Sequence, residues 1–75
     1  MSTFSERIKD MRYQKQLSQQ KMAEILGIDV RLYQYYESDK KCPSLINALK
    51  IAIALDVSLD FLCGRTEMQE VNTKP

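Results

Sequence analysis

Apolar residues recur along this chain at the three-and-four spacing of helices, and polar connectors interrupt them at short intervals. Leu17, Met22 and Leu26 form one stripe, preceded by Ser18, whose hydroxyl suits the free N–H groups of a helix start. Gly27 follows where a helix leaves through a left-handed residue, and Ile28 turns back inward. Asp29 then caps a second short helix, on which Tyr33 and Tyr36 share the inward face at a spacing of three. Ala23 is small where the two helices cross. Together these residues spell a helix-turn-helix over 19–37.

The flanks add three more helices. Thr3-Phe4-Ser5-Glu6 matches a capping box, and Phe4, Ile8, Met11 and Lys15 recur at helical spacing, with Ile8 and Met11 facing inward. Pro43 breaks the chain before Ser44, which caps a fourth helix with a predicted core stripe of Leu45, Ala48, Leu49, Ala52 and Leu55. Ile46 and Ile53 widen that stripe. Ser58 caps a last short helix, Leu59-Asp60-Phe61-Leu62-Cys63, which ends at Gly64. From Arg65 to Pro75 the periodicity is lost, and RTEMQEVNTKP reads as a flexible tail. The expectation is an all-α, compact five-helix domain over 1–64 and a tail over 65–75.

The quoted residues resemble the lambda repressor/Cro-like helix-turn-helix family of phage-repressor-like regulators. Met22, Ala23, Leu26, Gly27, Ile28, Tyr33, Tyr36 and Glu37 fall where that family places its core, small, turn and acidic residues. RIKDMRYQKQLSQ, KKCPSL and LDVSLDFLCG look like its outer helices and connectors, so the likeness runs from Glu6 to Gly64. Gln16 and Asp39 depart from the family, which favours Gly at both. A left-handed backbone at Gln16 costs about 1 kcal/mol, and Asp tolerates that conformation better than most residues.

The resemblance implies sequence-specific binding of double-stranded DNA, with the Asp29–Glu37 helix in the major groove. Matched residue by residue, Val30, Arg31 and Tyr35 become base readers, and Leu32 and Gln34 join them on the same surface. Arginine's fork matches the guanine O6 and N7 acceptors, and Val or Leu packs on a thymine methyl. For Tyr35 three roles stay open: stacking, donation to a phosphate, or cover for its neighbours. Gln19, with Ser18 beside it at the helix N-terminus, corresponds to a phosphate contact. Lys40 and Lys41 lie in a connector that runs beside the DNA backbone in the family frame; the bland alternative is two solvated loop charges. Arg12 and Glu37 match a recurrent Arg–Glu pair, read as a structural bridge.

Composition narrows the remaining classes. Seventy-five residues allow one small domain, which buries only about 60% of its unfolded surface. There is no His, and the two Cys lack CxxC spacing, so neither a zinc site nor the commonest general base is expected. No Gly-rich phosphate loop or nucleophile elbow appears. An enzyme, a cofactor and a small-molecule ligand are therefore not expected. No apolar run reaches the length of a membrane span, and MSTFSERIKDM lacks a secretory core, so the reading is cytoplasmic.

Charge gives weaker direction. Residues 1–41 carry eight Lys/Arg against six Asp/Glu (+2), and residues 42–75 carry three against four (−1). The bias favours the helix-turn-helix half but is slight, which fits a small phosphate-facing patch. Apolar surface beyond one core stripe, at Ile46, Ile53 and Phe61, predicts a homodimer and hence a palindromic operator. The alternative reading is a protein-interaction module or antitoxin-like regulator that kept the fold and lost duplex binding.

Overall fold

Side chains cap the starts of four of the five helices. Ser18 Oγ accepts from Lys21 N–H at 3.0 Å, Asp29 Oδ1 from Arg31 N–H at 2.7 Å, Ser44 Oγ from Asn47 N–H at 3.2 Å and Ser58 Oγ from Phe61 N–H at 3.0 Å. Each satisfies an N–H that the helix cannot pair within itself. The computed structural model describes residues 3–64. It contains α1 (Thr3–Gln14), α2 (Gln19–Leu26), α3 (Val30–Glu37), α4 (Leu45–Leu55) and α5 (Leu59–Leu62). Helix α1 already includes Thr3, and the proposed tail over 65–75 lies outside the described residues.

The connectors turn on left-handed residues. Gly27 has φ +71°, and its N–H and that of Ile28 close the end of α2 on Glu24 O and Ala23 O at 3.2 and 3.0 Å. A Cβ built at Gly27 meets nothing within 4 Å, so the sign of φ, rather than crowding, makes glycine suitable there. Gln16 (φ 58°) and Asp39 (φ 64°) adopt the conformation expected where the family favours Gly. Asp56 (φ 57°) ends α4 in the same way, a turn that the sequence reading does not anticipate.

Around the α2–α3 corner, α1, α4 and α5 close one core built on Ile8, Met22, Tyr33, Ile51, Leu55 and Leu62, all essentially sealed from solvent. Ala23 is buried on the inward face of α2, as its size allows. Helix α4 is rotated relative to the expected stripe. Ala48, Ile51, Ala52 and Leu55 face inward, whereas Leu45 and Leu49 are exposed. The sequence LINALKIAIAL is apolar round most of its circumference, so two overlapping stripes fit it equally well. Tertiary contacts select one, among them a 3.0 Å hydrogen bond from Asn47 Nδ2 to Tyr36 Oη.

Phe61 also differs from expectation. It is buried in the monomer core, with the Arg7 guanidinium 4.3 Å from its ring centroid and Arg7 Nη1 donating to its carbonyl at 2.8 Å. It is therefore not free to form a dimer surface. Ile46 and Ile53 do stay on the outside.

The left-handed Gln16 yields a direct test. Gln16→Gly should relieve the steric cost of its positive φ and raise stability by up to about 1 kcal/mol in urea unfolding. A loss of stability would mean that the Gln16 side chain contributes more than its backbone costs.

Candidate nucleic-acid interface

Helix α3 is anchored at its C-terminal end by the expected pair. Arg12 Nε donates to Glu37 Oε2 at 2.6 Å and Arg12 Nη2 to Glu37 Oε1 at 3.0 Å, with both side chains buried. The third arm, Nη1, donates to Leu17 O at 2.8 Å, and Leu17 N–H returns a bond to Arg12 O at 3.1 Å. One guanidinium thus ties the end of α1, the connector before α2 and the end of α3.

A polar chain extends from this pair to the surface of α3. Gln19 Nε2 donates to Glu37 Oε1 at 3.0 Å, and Gln34 Nε2 donates to Gln19 Oε1 at 3.2 Å. Two residues expected to meet DNA therefore hold each other first. Gln19 is fixed between the buried Glu37 carboxylate and Gln34 on the outer side of α3, and Ser18 is engaged as the cap of α2. Sequence reasoning missed the Gln19–Gln34 link because the two residues lie on different helices and neither pattern points at the other.

Burial alone would raise the Glu37 carboxyl pKa. Burial is the largest single influence, but the Arg12 hydrogen bonds, neighbouring Tyr33 and Gln19 and the Arg12 charge together outweigh it, and the group is held below the usual carboxylate range. Hydrogen bonding to Glu37 likewise pushes Arg12 further above its already high value, against desolvation. Tyr33 Oη lies beside the carboxylate without reaching hydrogen-bond geometry. Burial first, and the Glu37 carboxylate second, push its phenol far above the ordinary range.

On the outer side of α3, one open concavity brings together Val30, Arg31, Leu32, Gln34 and Tyr35, all five expected base readers. Lys41 joins them from the connector. Arg31 and Gln34 are exposed, while Val30, Leu32 and Tyr35 are half-buried, and the two aliphatics also lean on the core. The backbone N–H groups of Lys40 and Lys41 both donate to Tyr35 O, at 2.9 and 3.3 Å. Their ammonium groups stand 5.9 and 5.7 Å from the Tyr35 ring centroid. Tyr35 thus gathers both lysines against the reading surface. Among the described residues no cluster of His, Cys, Asp or Glu could hold a metal, and Cys42 and Cys63 are free and exposed.

The helix-turn-helix family profile matches residues 8–62. The chain belongs to the lambda repressor/Cro-like helix-turn-helix family. It is 40% identical over 65 residues to the cryptic phage CTXphi transcriptional repressor RstR of Vibrio cholerae, covering 87% of this chain and 58% of that protein. It is 44% identical over 66 residues to YonR, a prophage-derived, uncharacterized HTH-type transcriptional regulator of Bacillus subtilis, covering 88% and 61%. Its fold matches the restriction-modification controller protein C.AhdI of Aeromonas hydrophila with a TM-score of 0.75 at 35% identity, over 80% of this chain and 91% of that one. The chain thus spans about three fifths of the length of these two relatives. Among the described residues, no helix is long and apolar enough to cross a membrane.

The depressed Glu37 pKa has a consequence for stability. Because Glu37 ionises more readily folded than unfolded, its stabilisation is complete above the ordinary value of 4.5 and is lost as pH falls through the lower folded value. Glu37→Gln should cost about 3 kcal/mol at neutral pH, where it leaves Arg12 buried without a counter-charge. It should also flatten the acid limb of stability against pH, measured by urea unfolding. An unaltered acid limb would place the titration elsewhere.

Proposed function

We propose that this chain is a sequence-specific DNA-binding transcriptional regulator of the cytoplasm, acting as a dimeric repressor on a two-fold symmetric operator. The observation that carries this reading is the grouping of Val30, Arg31, Leu32, Gln34 and Tyr35 on one face of a helix whose other face is locked into the core, with Lys41 joining them from the connector. Its repressor-like relatives and the controller-protein fold support the same conclusion.

In this reading α3 enters the major groove. Asp29 caps its first turn, so Arg31 stands near the entering end with its guanidinium exposed. Arg31 reads guanine through O6 and N7, while Val30 and Leu32 offer methyl groups to thymine. Gln19, Ser18, Lys40 and Lys41 lie where phosphate contacts fix the register of that reading. Since Gln34 is tied to Gln19, it orients the reading surface even where it meets a base edge itself.

Dimerisation follows from α4. Leu45, Ile46, Leu49 and Ile53 are 69%, 66%, 44% and 78% exposed, an aliphatic strip on an 8.7 kDa protein. A second copy packed on this strip would remove it from water and present two α3 helices about 34 Å apart.

Selection of bound duplexes from a random pool tests the reading. Wild type should return a two-fold symmetric site, and Arg31→Ala should relax one position per half-site, a loss of about 1–3 kcal/mol of discrimination there. No enrichment by wild type would favour a protein-interaction module instead. An unchanged preference in the mutant would reduce Arg31 to a phosphate contact.

Sedimentation checks the dimer. Ile53→Glu should shift the protein toward monomer while leaving its fold intact, because Ile53 is largely outside the core. A wild type that is monomeric at high micromolar concentration, with and without DNA, would contradict the two-fold arrangement.

A further inference from the structure

A second open concavity, about 440 Å³, lies where α1 meets the C-terminal end of α3 and the connector after it. Its floor is the Arg12–Glu37 pair, and Lys9, Tyr13, Gln19, Ser38 and Lys40 stand round it. Gln34 and Tyr35 line this concavity as well as the reading surface, so the two hollows share a wall.

The charges in the hollow do not cancel. Glu37 is the one acid in its lining, and Arg12 neutralises it in the bidentate bridge. Lys9 and Lys40 remain, giving a local excess of +2 in a chain whose total is +1. Lys9 is exposed and has no ion-pair partner among the described residues. Tyr13 is 62% exposed, large for an aromatic ring, yet it is held in place by the Arg12 guanidinium 4.6 Å from its centroid. Tyr13 and Lys9 both line the hollow, so the tyrosine hydroxyl adds a donor to the same site. Arg12 itself is committed to the floor, since each of its three nitrogens already donates within the chain.

Two exposed cations, a tyrosine hydroxyl and the serine hydroxyl of Ser38, against a compensated floor, suit a singly charged, oxygen-rich group. We infer that this hollow seats a backbone phosphodiester of the bound duplex, with Lys9 and Tyr13 of α1 as contacts additional to those in the helix-turn-helix. This rests on the DNA-binding reading above and deepens it: the duplex is gripped from α1 as well as from the connector, on either side of the Gln34–Tyr35 wall. Lys9 supplies charge, Tyr13 supplies a hydrogen bond, and neither contacts bases.

The test is affinity for one specific duplex against salt concentration, for wild type, Lys9→Ala, Tyr13→Phe and the exposed control Lys50→Ala. Lys9→Ala should flatten the logarithmic salt slope by about 0.9, so that raising salt from about 50 to 200 mM costs roughly threefold less affinity than in wild type. Tyr13→Phe keeps the ring on Arg12 and should weaken all duplexes alike, by roughly fivefold, without changing sequence preference. Lys50→Ala, on the exposed side of α4, should leave the slope unchanged. A Lys9→Ala slope no different from that of Lys50→Ala would overturn the seat. In that case intact site preference by wild type, with its expected change in Arg31→Ala, would leave the DNA-binding reading standing. If wild type bound no duplex, both would fall. Amide NMR shifts separate the source of the phosphate. Shifts at Tyr13 and Ser38 on adding duplex are expected, whereas saturable shifts with inorganic phosphate and none with duplex would make the hollow a free-anion site and overturn the proposal.

Discussion

Glu37 accepts hydrogen bonds from two other helices at once, and the placement of α3 depends on it. Arg12 reaches it from α1 with two parallel donors, and Gln19 reaches it from the first residue of α2. An apolar pair of similar volume would fill the same space at comparable or better stability, because desolvating two charges is costly. It would not, however, impose direction. A fork meeting a carboxylate fixes angle as well as distance, and here it fixes the roll of α3 against α1 and α2. Tyr33 and Tyr36 complete the lock from the apolar side, their rings meeting edge to face at 6.4 Å. The outward face of α3 is therefore set by what its inward face is bound to.

That arrangement explains how a nearly neutral chain presents a basic face on and beside α3. Opposite charges are not spread evenly. Glu37, the acid within α3, is turned inward and neutralised, and Asp29 is engaged as its helix cap, which leaves Asp39 as the exposed acid of the connector. Arg31, Lys40 and Lys41 are left facing out, with Tyr35 drawing the two lysines toward it through its carbonyl and its ring. Net charge, summed over the chain, conceals this segregation. The affinity of such a surface would depend steeply on ionic strength, since its attraction acts through a few unpaired cations.

Much of the fold is legible in the residues because local rules act there without competition. Ser18, Asp29, Ser44 and Ser58 cap as their side chains predict, Gly27 turns the corner, and Tyr33 and Tyr36 point inward at the expected spacing. Where the sequence is ambiguous, tertiary contacts decide. The rotation of α4 could not be read from a segment apolar on most sides, so Ile51 rather than Leu49 fills the core. Phe61 looked available for a partner because its cover, Arg7, comes from 54 residues away. The Gln19–Gln34 contact is similarly non-local, and it joins two residues that the family resemblance implied separately as DNA contacts.

The central claim is that the Arg12–Glu37 bridge, and not merely the volume of its side chains, holds α3 in place. A double-mutant cycle in urea measures that most directly, using Arg12→Ala, Glu37→Ala and the pair. Each single mutant leaves a buried charge uncompensated and should lose about 3 kcal/mol, while the double mutant should lose clearly less than the sum. A coupling of about 2 kcal/mol or more is the predicted result. Additive losses, with no coupling, would mean the two side chains act independently, and this account of how α3 is positioned would be wrong.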